Sequence, residues 1–371
     1  MKAVAVVPAK REVNLIETEP PRLASPSQVR VRMLDVGVCG TDHEICAFRY
    51  GAPPSGCEHL IIGHESLGEV VEIGRAVSGI KPGDLVAITV RRPCRHESCL
   101  SCTADRADFC FTGDFLERGI NNCHGFMTEY VVDEARNMTI VPNALRSVGV
   151  LVEPLAIAEK AIEQIWSLQL RLPWVCPHHK EKGMGHCHNA VVLGAGPVGL
   201  LGAMVLVRQG FNTYVFSRDK VPTAKAAIAE SIGASYVSAQ DVSIHDLMTR
   251  VGNIDVVYEA TGASQLSFEA LKRLGLNGIF VFTGVPGRRA AVESNTDGIV
   301  RNLVLRNQVM FACLGASRSH FQAAINDLAA FNRSWPGAVS GLITGRYPVE
   351  RYRELLSGPA HGIKNVIMFA S

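Results

Sequence analysis

Strong charge is missing from this 371-residue chain: charged residues make up 19% of it, both signs are intermixed, and the formal net charge is only +2. That balance excludes an extended basic face for nucleic acid or for an anionic membrane surface. No uncharged apolar run reaches the ~18 residues that a spanning helix requires, so no membrane partner is expected. The opening residues, MKAVAVVPAKREVNL, lack the apolar core and small-residue cleavage site of a secretory signal, and a cytoplasmic location is expected. Internal repeats and low-complexity tracts are missing too. What remains is the composition of an ordinary α/β protein, 47% hydrophobic with 34 glycines, long enough for two domains at ~150 residues each.

Cysteine is not in short supply. Eleven are present, an odd number that cannot all pair within one chain. In a reducing compartment they read better as thiols and metal ligands than as disulfides. Four of them, Cys94, Cys99, Cys102 and Cys110, fall in RRPCRHESCLSCTADRADFC with the spacing C-x4-C-x2-C-x7-C.

Pattern divides the chain. The first 160 or so residues carry short β-branched runs such as QVRVRMLDVGV, GEVVEIG and DLVAITV between Gly and Pro turn signals, which argues a β-rich domain. VLVEPLAIAEKAIEQIW then turns helical. The Pro-, Gly-, His- and Cys-rich segment 174–188 reads as an exposed, loosely structured linker. A Cys176–Cys187 disulfide, or a metal site using Cys176, Cys187, His178, His179, His186 and His188, are lesser readings. From Asn189 on, apolar strands alternate with helices (NAVVL, NTYVFS, IDVVYEATG, GIFVFTGV), the pattern of a parallel, doubly wound sheet. The closing HGIKNVIMFA reads as a strand returning to the first domain.

GAGPVG, Gly194 to Gly199, is G-x-G-x-x-G between a strand and an apolar helix. Gly194 allows the tight turn, Gly196 lets the backbone approach a pyrophosphate, and Gly199 permits close helix–strand contact. Pro197 and Val198 open the helix, whose amides from Val198 onward and positive dipole end suit phosphate. At the end of the second strand, where NAD sites place an acid, stand Ser217 and Arg218. A hydroxyl and a guanidinium suit a 2′-phosphate and favour NADP. Asp219 follows directly, so a one- or two-residue slip leaves use of NAD open. Thr261 with Gly262, and Thr283 with Gly284 and Val285, end the fourth and fifth strands, where a nicotinamide rests on such a sheet.

Catalytic zinc takes three protein ligands and keeps a fourth position open. Cys39, His64 and Glu65 offer that set, with Glu153 on the helical stretch as a fourth ligand or supporting acid. The four-cysteine cluster, by contrast, forms a closed shell that holds a loop together and activates nothing. An iron–sulfur cluster, disulfides, or His96 in place of Cys94 are its other readings.

Taken together, VCGTDHE, GHESLGEVVEIG, KPGDLV, the cysteine lobe, LVEPLA and GAGPVG resemble the zinc-dependent medium-chain dehydrogenase/reductases over essentially the whole chain. RYGAPPSG, VRRPC, DFCFTGDFLERGI, HGFMTEYVVDE and FQAAINDLA resemble the archaeal-type glucose 1-dehydrogenase branch. The resemblance implies a GroES-like catalytic domain over 1–185 with a structural zinc lobe near 91–112. It implies a Rossmann NAD(P) domain over 186–315 and a returning segment over 316–371. It implies a catalytic zinc at Cys39, His64 and Glu65 with Glu153 nearby, and a structural zinc at Cys94, Cys99, Cys102 and Cys110. Sugar contacts would fall on Thr41, Glu117 and Glu153, although Glu117 also reads as a local salt bridge with Arg118. Thr41 and His43 would relay a proton outward. The implied reaction is oxidation of an aldose at C1 to the lactone, D-glucose with NADP foremost, in a dimer or tetramer. Polyol, threonine-like or other secondary-alcohol oxidation is the alternative, and a non-catalytic metal-binding or redox-sensing relative the more distant one. Two departures bear on substrate: Val90 and Gly315 stand where the branch leads one to expect asparagines, whose amides would bind sugar hydroxyls.

Overall fold

The computed structural model describes residues 1–287, 291–358 and 361–369. The chain divides into two compact units, Met1–Ala156 with Gly315–Asn332 and Ile343–Ser371, and Ile157–Leu314 with Arg333–Leu342. The division falls inside the helix Val152–Gln169, not in segment 174–188. Among the described residues no helix is long and apolar enough to cross a membrane.

The first unit is β-rich because its runs alternate. In Gln28–Gly37 (QVRVRMLDVG), Val29, Val31 and Met33 are buried while Arg30 and Arg32 face outward, the period of a half-covered strand. Among the described residues this strand is the spine of a seven-stranded sheet. In order the path runs Met138–Val141, Leu85–Ile88, Glu65–Ile73, Gln28–Gly37, Lys364–Met368 and Ile343–Pro348, with Tyr130–Glu134 also on the spine. The closing strand inserts as expected, so Gly37 sits in register with Glu65 on one side and Val366 on the other. A cluster including Val31, Met33, Ile62, Phe126 and Met127 fills the space beneath.

The second unit holds six parallel strands among the described residues. Their order is Ser235–Ser238, Asn212–Ser217, Asn189–Leu193, Val256–Glu259, Ile279–Phe282 and Val309–Ala312. Order reverses between the first and fourth strands of the unit, the switch point where such sheets take ligands at their carboxyl ends. The expected α/β class, antiparallel β-rich unit plus doubly wound unit, is met.

Segment 174–188 corrects the expectation of a loose linker. Trp174 is buried; its ring stacks on His188 at 4.4 Å and meets Trp166 at 4.8 Å. Gly185 lies so close to Phe211 that a Cβ would stand 2.2 Å from its ring. Cys176 and Cys187 form a disulfide with Cα atoms 5.5 Å apart, so these two are not free thiols. Among the described residues the histidines of this segment gather in no metal-binding group.

A buried hub ties the lobe region to the sheet. Asp133, 5% exposed, accepts from Arg92, from Arg118 Nε at 2.9 Å and from Asn137 Nδ2 at 2.7 Å. Burial alone would raise its carboxyl pKa, but Arg118 and Arg92 outweigh burial and hold it well below the usual range. Asp133→Ala strands two buried guanidinium groups, and urea unfolding at pH 7 is expected to show a loss of ~3–5 kcal/mol. The depressed folded pKa puts this stabilisation fully in place above the ordinary carboxylate value of ~4 and removes it as pH falls further, so the gap to the parent chain should narrow in acid. A pH-independent gap would contradict the assignment.

Candidate active site

Backbone geometry brings Cys39 and Glu65 together. Gly37 is the register partner of Glu65, and the chain runs on from it through Val38 to Cys39. Gly63, at φ +90°, makes the turn that delivers His64 and Glu65; a Cβ there would lie 2.5 Å from Met127 Cγ. The donor atoms of Cys39, His64 and Glu65 all lie within 4.8 Å of one another. The helix Gly40–Cys46 begins here, and Asp42 Oδ2 accepts from the Cys39 amide at 2.9 Å. Asp42 Oδ1 stands 3.4 Å from His64 Nδ1, and neither atom has a hydrogen-bond partner among the described residues.

The pocket calls for a cation. Metal binding requires Cys39 as a thiolate and His64 as a neutral imidazole; in that state the Asp42 and Glu65 carboxylates and the thiolate face the ammonium of Lys364. Burial alone would lower the pKa of His64, but Asp42 and Cys39 outweigh it and hold it well above the usual value. Lys364, 2% exposed, donates to Glu65 Oε1 at 2.7 Å, to Oε2 at 2.6 Å and to the Val38 carbonyl at 3.0 Å. Its pKa too is raised against the effect of burial, chiefly by Glu65 and Cys39. A sulfur, a nitrogen and an oxygen donor converging in a largely buried setting suit zinc with one position left open. Glu153 is buried nearby, and burial with Glu65 beside it raises its carboxyl to about 7.

The remaining expected residues sort differently. Thr41 Oγ1 is 3.9 Å from Cys39 Sγ. His43 Nδ1 donates to the Leu356 carbonyl at 3.0 Å, which fixes the tautomer and leaves Nε2 as acceptor. Glu117 is buried and paired, with Arg91 rather than Arg118: Oε1 accepts from Nη2 at 2.7 Å and Nε at 3.2 Å. Arg118 turns instead to Asp133. The Arg91 guanidinium also lies 3.5 Å from where a side chain at Gly315 would begin, so it borders the space that an asparagine there would enter.

Cys94, Cys99, Cys102 and Cys110 bring all four sulfurs within 4.8 Å of one another. His96 stays outside that group, with Nε2 at 2.5 Å from Asp114 Oδ2. Burial would raise the Cys110 thiol, but the Thr112 hydroxyl and the Gly113 and Thr112 amides lower it to about 6. Four thiolates would close a tetrahedral zinc shell, leaving no site for chemistry.

In the second unit Gly194 has φ +102°, and Gly199 approaches so closely that a Cβ would stand 2.1 Å from the Gly194 carbonyl. A Cβ at Gly196 would meet nothing within 4 Å, so the backbone there is open to a ligand's approach. Pro197 and Val198 begin the helix Pro197–Arg208. A cavity of about 750 Å³ opens beside the loop, lined by residues including Gly194, Ser217, Arg218, Ile244, Leu266 and Arg273. Asp219 is engaged elsewhere, paired with Lys225 at 2.6 Å. These walls fit a dinucleotide whose adenosine end carries a phosphate. Thr261 and Thr283 bond to Glu259, and Val285 is exposed beyond Gly284.

Sequence reasoning missed Asp42, Arg91, Lys364 and Glu259. Lys364 carried a signal, a lone lysine inside an apolar strand, since lysines are rarely buried unpaired.

Comparison with known proteins agrees with this arrangement. Residues 25–143 match the alcohol dehydrogenase GroES-like domain, and residues 146–369 match the family described as glucose dehydrogenase C-terminus. The glucose 1-dehydrogenase of Methanocella arvoryzae is 37% identical over 368 residues, and that of Thermoproteus tenax 36%, with 99% of each chain covered. The Haloferax mediterranei glucose dehydrogenase in complex with NADP, Zn and gluconolactone is similar in structure, with TM-score 0.88, 31% identity and both chains covered in full.

Metal analysis separates the two clusters. Cys39→Ser and Cys102→Ser should each retain roughly half the zinc of the parent chain, because each removes a ligand from one site only. Only Cys102→Ser should lower the unfolding temperature strongly. Unchanged zinc in either variant would overturn that assignment.

Proposed function

Because the chain belongs to the glucose dehydrogenase branch of the zinc-dependent medium-chain dehydrogenase/reductases, we propose that it oxidises an aldose at C1 to the lactone, D-glucose to glucono-1,5-lactone, with NADP. The observation that carries this reading is the intact donor set of Cys39, His64 and Glu65, whose donor atoms all lie within 4.8 Å of one another. A relative that had lost its chemistry would have no need of three donors arranged around an open position.

When bound, zinc supplies Lewis-acid activation of a hydroxyl and the dinucleotide supplies the hydride acceptor. The chain's own residues do the rest. Cys39, His64 and Glu65 would hold the metal, and Lys364 holds Glu65 in place. Thr41 Oγ1 would take the C1 hydroxyl proton and pass it towards His43, whose Nε2 is left to accept by the bond from Nδ1 to Leu356. Glu117 would accept from a sugar hydroxyl through Oε2, since Arg91 occupies Oε1. Ser217 and Arg218 would hold the 2′-phosphate, and the amides beyond Gly196 the pyrophosphate.

The same proposal includes a cytoplasmic homodimer or homotetramer. The edge strand Val309–Ala312 exposes Met310, and the helix before it exposes Val300 and Val304, features that an isolated sheet edge leaves open to a second copy.

Zinc-loaded protein assayed across aldoses, polyols and simple alcohols should reduce NADP fastest with D-glucose. Turnover confined to polyols or secondary alcohols would replace the sugar reading. Ser217→Asp should shift the preference towards NAD by about tenfold, the worth of one charge-assisted hydrogen bond. No shift would misplace the phosphate site.

A further inference from the structure

The carboxyl ends of the fourth and fifth strands of the parallel sheet meet at a single residue. Glu259 closes the strand Val256–Glu259 and is 0% exposed. Its Oε1 accepts from the Thr261 amide at 2.7 Å, the Thr261 hydroxyl at 2.5 Å and the Gly262 amide at 2.8 Å. Its own main-chain carbonyl accepts from the Thr283 hydroxyl at 2.7 Å and amide at 2.9 Å. One residue thus ties the turn after the fourth strand and the turn after the fifth to the same point.

The turns themselves leave little freedom. Gly262 is left-handed at φ +65°, and a Cβ on Gly284 would stand 2.2 Å from the Gly262 amide nitrogen. The two turns are therefore in backbone contact, and no side chain can separate them. The second carboxyl oxygen points into the same contact, 2.9 Å from where that Cβ would be, and it is buried with no hydrogen-bond partner among the described residues. A carboxyl group kept for stability alone would pair both oxygens, because a dry unpaired acceptor costs free energy. Position explains it better: these turns lie at the sheet's carboxyl edge, the side that receives the nicotinamide half of a dinucleotide.

We propose that Glu259 is a positioning residue for the dinucleotide, clasping the turns 261–262 and 283–285 so that their backbone groups present a fixed surface to the nicotinamide. This rests on the dinucleotide reading above and adds to it the residue that sets the ring's floor.

Equilibrium binding tests it without turnover. NADPH contains the nicotinamide half, whereas 2′,5′-ADP carries only the adenosine half, which would meet Ser217 and Arg218. Fluorescence titration and calorimetry of Glu259→Ala should show NADPH binding weakened about tenfold, the worth of one lost hydrogen-bonded group. Binding of 2′,5′-ADP should change less than about twofold, within the scatter expected at distant sites. Glu259→Gln retains a carbonyl oxygen for the three donors and should restore most of the NADPH affinity. In the zinc-loaded enzyme kcat should fall in Glu259→Ala with the KM for sugar little changed. Equal weakening of both ligands, or a Glu259→Gln variant as poor as Glu259→Ala, would reduce Glu259 to a structural role and overturn the proposal. Unchanged NADPH binding in Glu259→Ala would overturn it as well. If the parent chain bound neither NADPH nor 2′,5′-ADP, the dinucleotide reading itself would fail, an outcome distinct from any of these.

Discussion

The ion pair between Lys364 and Glu65 anchors the candidate site. Both side chains are almost fully buried, and the ammonium reaches both carboxyl oxygens as well as the carbonyl of Val38. Gly37 makes the pair possible, because any larger residue there would put a Cβ 2.0 Å from Glu65 Oε2. A buried pair of this kind contributes little net stability, since desolvation offsets most of the attraction. Its effect is positional: it fixes a carboxyl oxygen beside Cys39 and His64. Zinc at that position would take the place of the proton that His64 otherwise holds beside Asp42 and Cys39.

The four-thiolate lobe works by a different logic. It would saturate its metal, so its value lies in what it supports. The short strands Arg91–Arg92 and Leu116–Arg118 flank it, and their register sets Arg91 opposite Glu117. Arg91 in turn takes one oxygen of Glu117, bonds the Asp108 carbonyl and lies 3.8 Å over the Phe115 ring. Under the proposed role of Glu117 such bracing matters, for selectivity among polyols comes from hydrogen bonds held in fixed directions. Beside Gly315, where the family resemblance leads one to expect an amide, this chain places the Arg91 guanidinium.

Much of this was legible in the sequence because ligand chemistry is carried by residue type. Cys39, His64 and Glu65 could be named together, and the glycine fingerprint announced itself between a strand and a helix. Lys364 was harder, since its partner lies 299 residues away and only sheet register joins them. The Glu117 pairing was misjudged for a simple reason: Arg118 is its neighbour in a strand, and successive strand residues face opposite ways. Segment 174–188 looked loose from its prolines, glycines and histidines, yet Trp174 and Phe211 supply enough apolar contact to fold it down. Glu259 went unnoticed in the sequence, because its three donors come from residues whose turn conformation the sequence does not display.

The most direct test of the central claim, that chemistry belongs to the open three-ligand site and not to the cysteine lobe, is the visible spectrum of protein loaded with cobalt(II) in place of zinc. Adding glucose or its lactone should perturb the cobalt bands, since an open position accepts a new oxygen donor whereas a closed four-thiolate shell does not. The perturbation should vanish in Cys39→Ser and persist in Cys102→Ser. A sugar-dependent change that survives Cys39→Ser and disappears in Cys102→Ser would place the chemistry at the lobe and contradict the account.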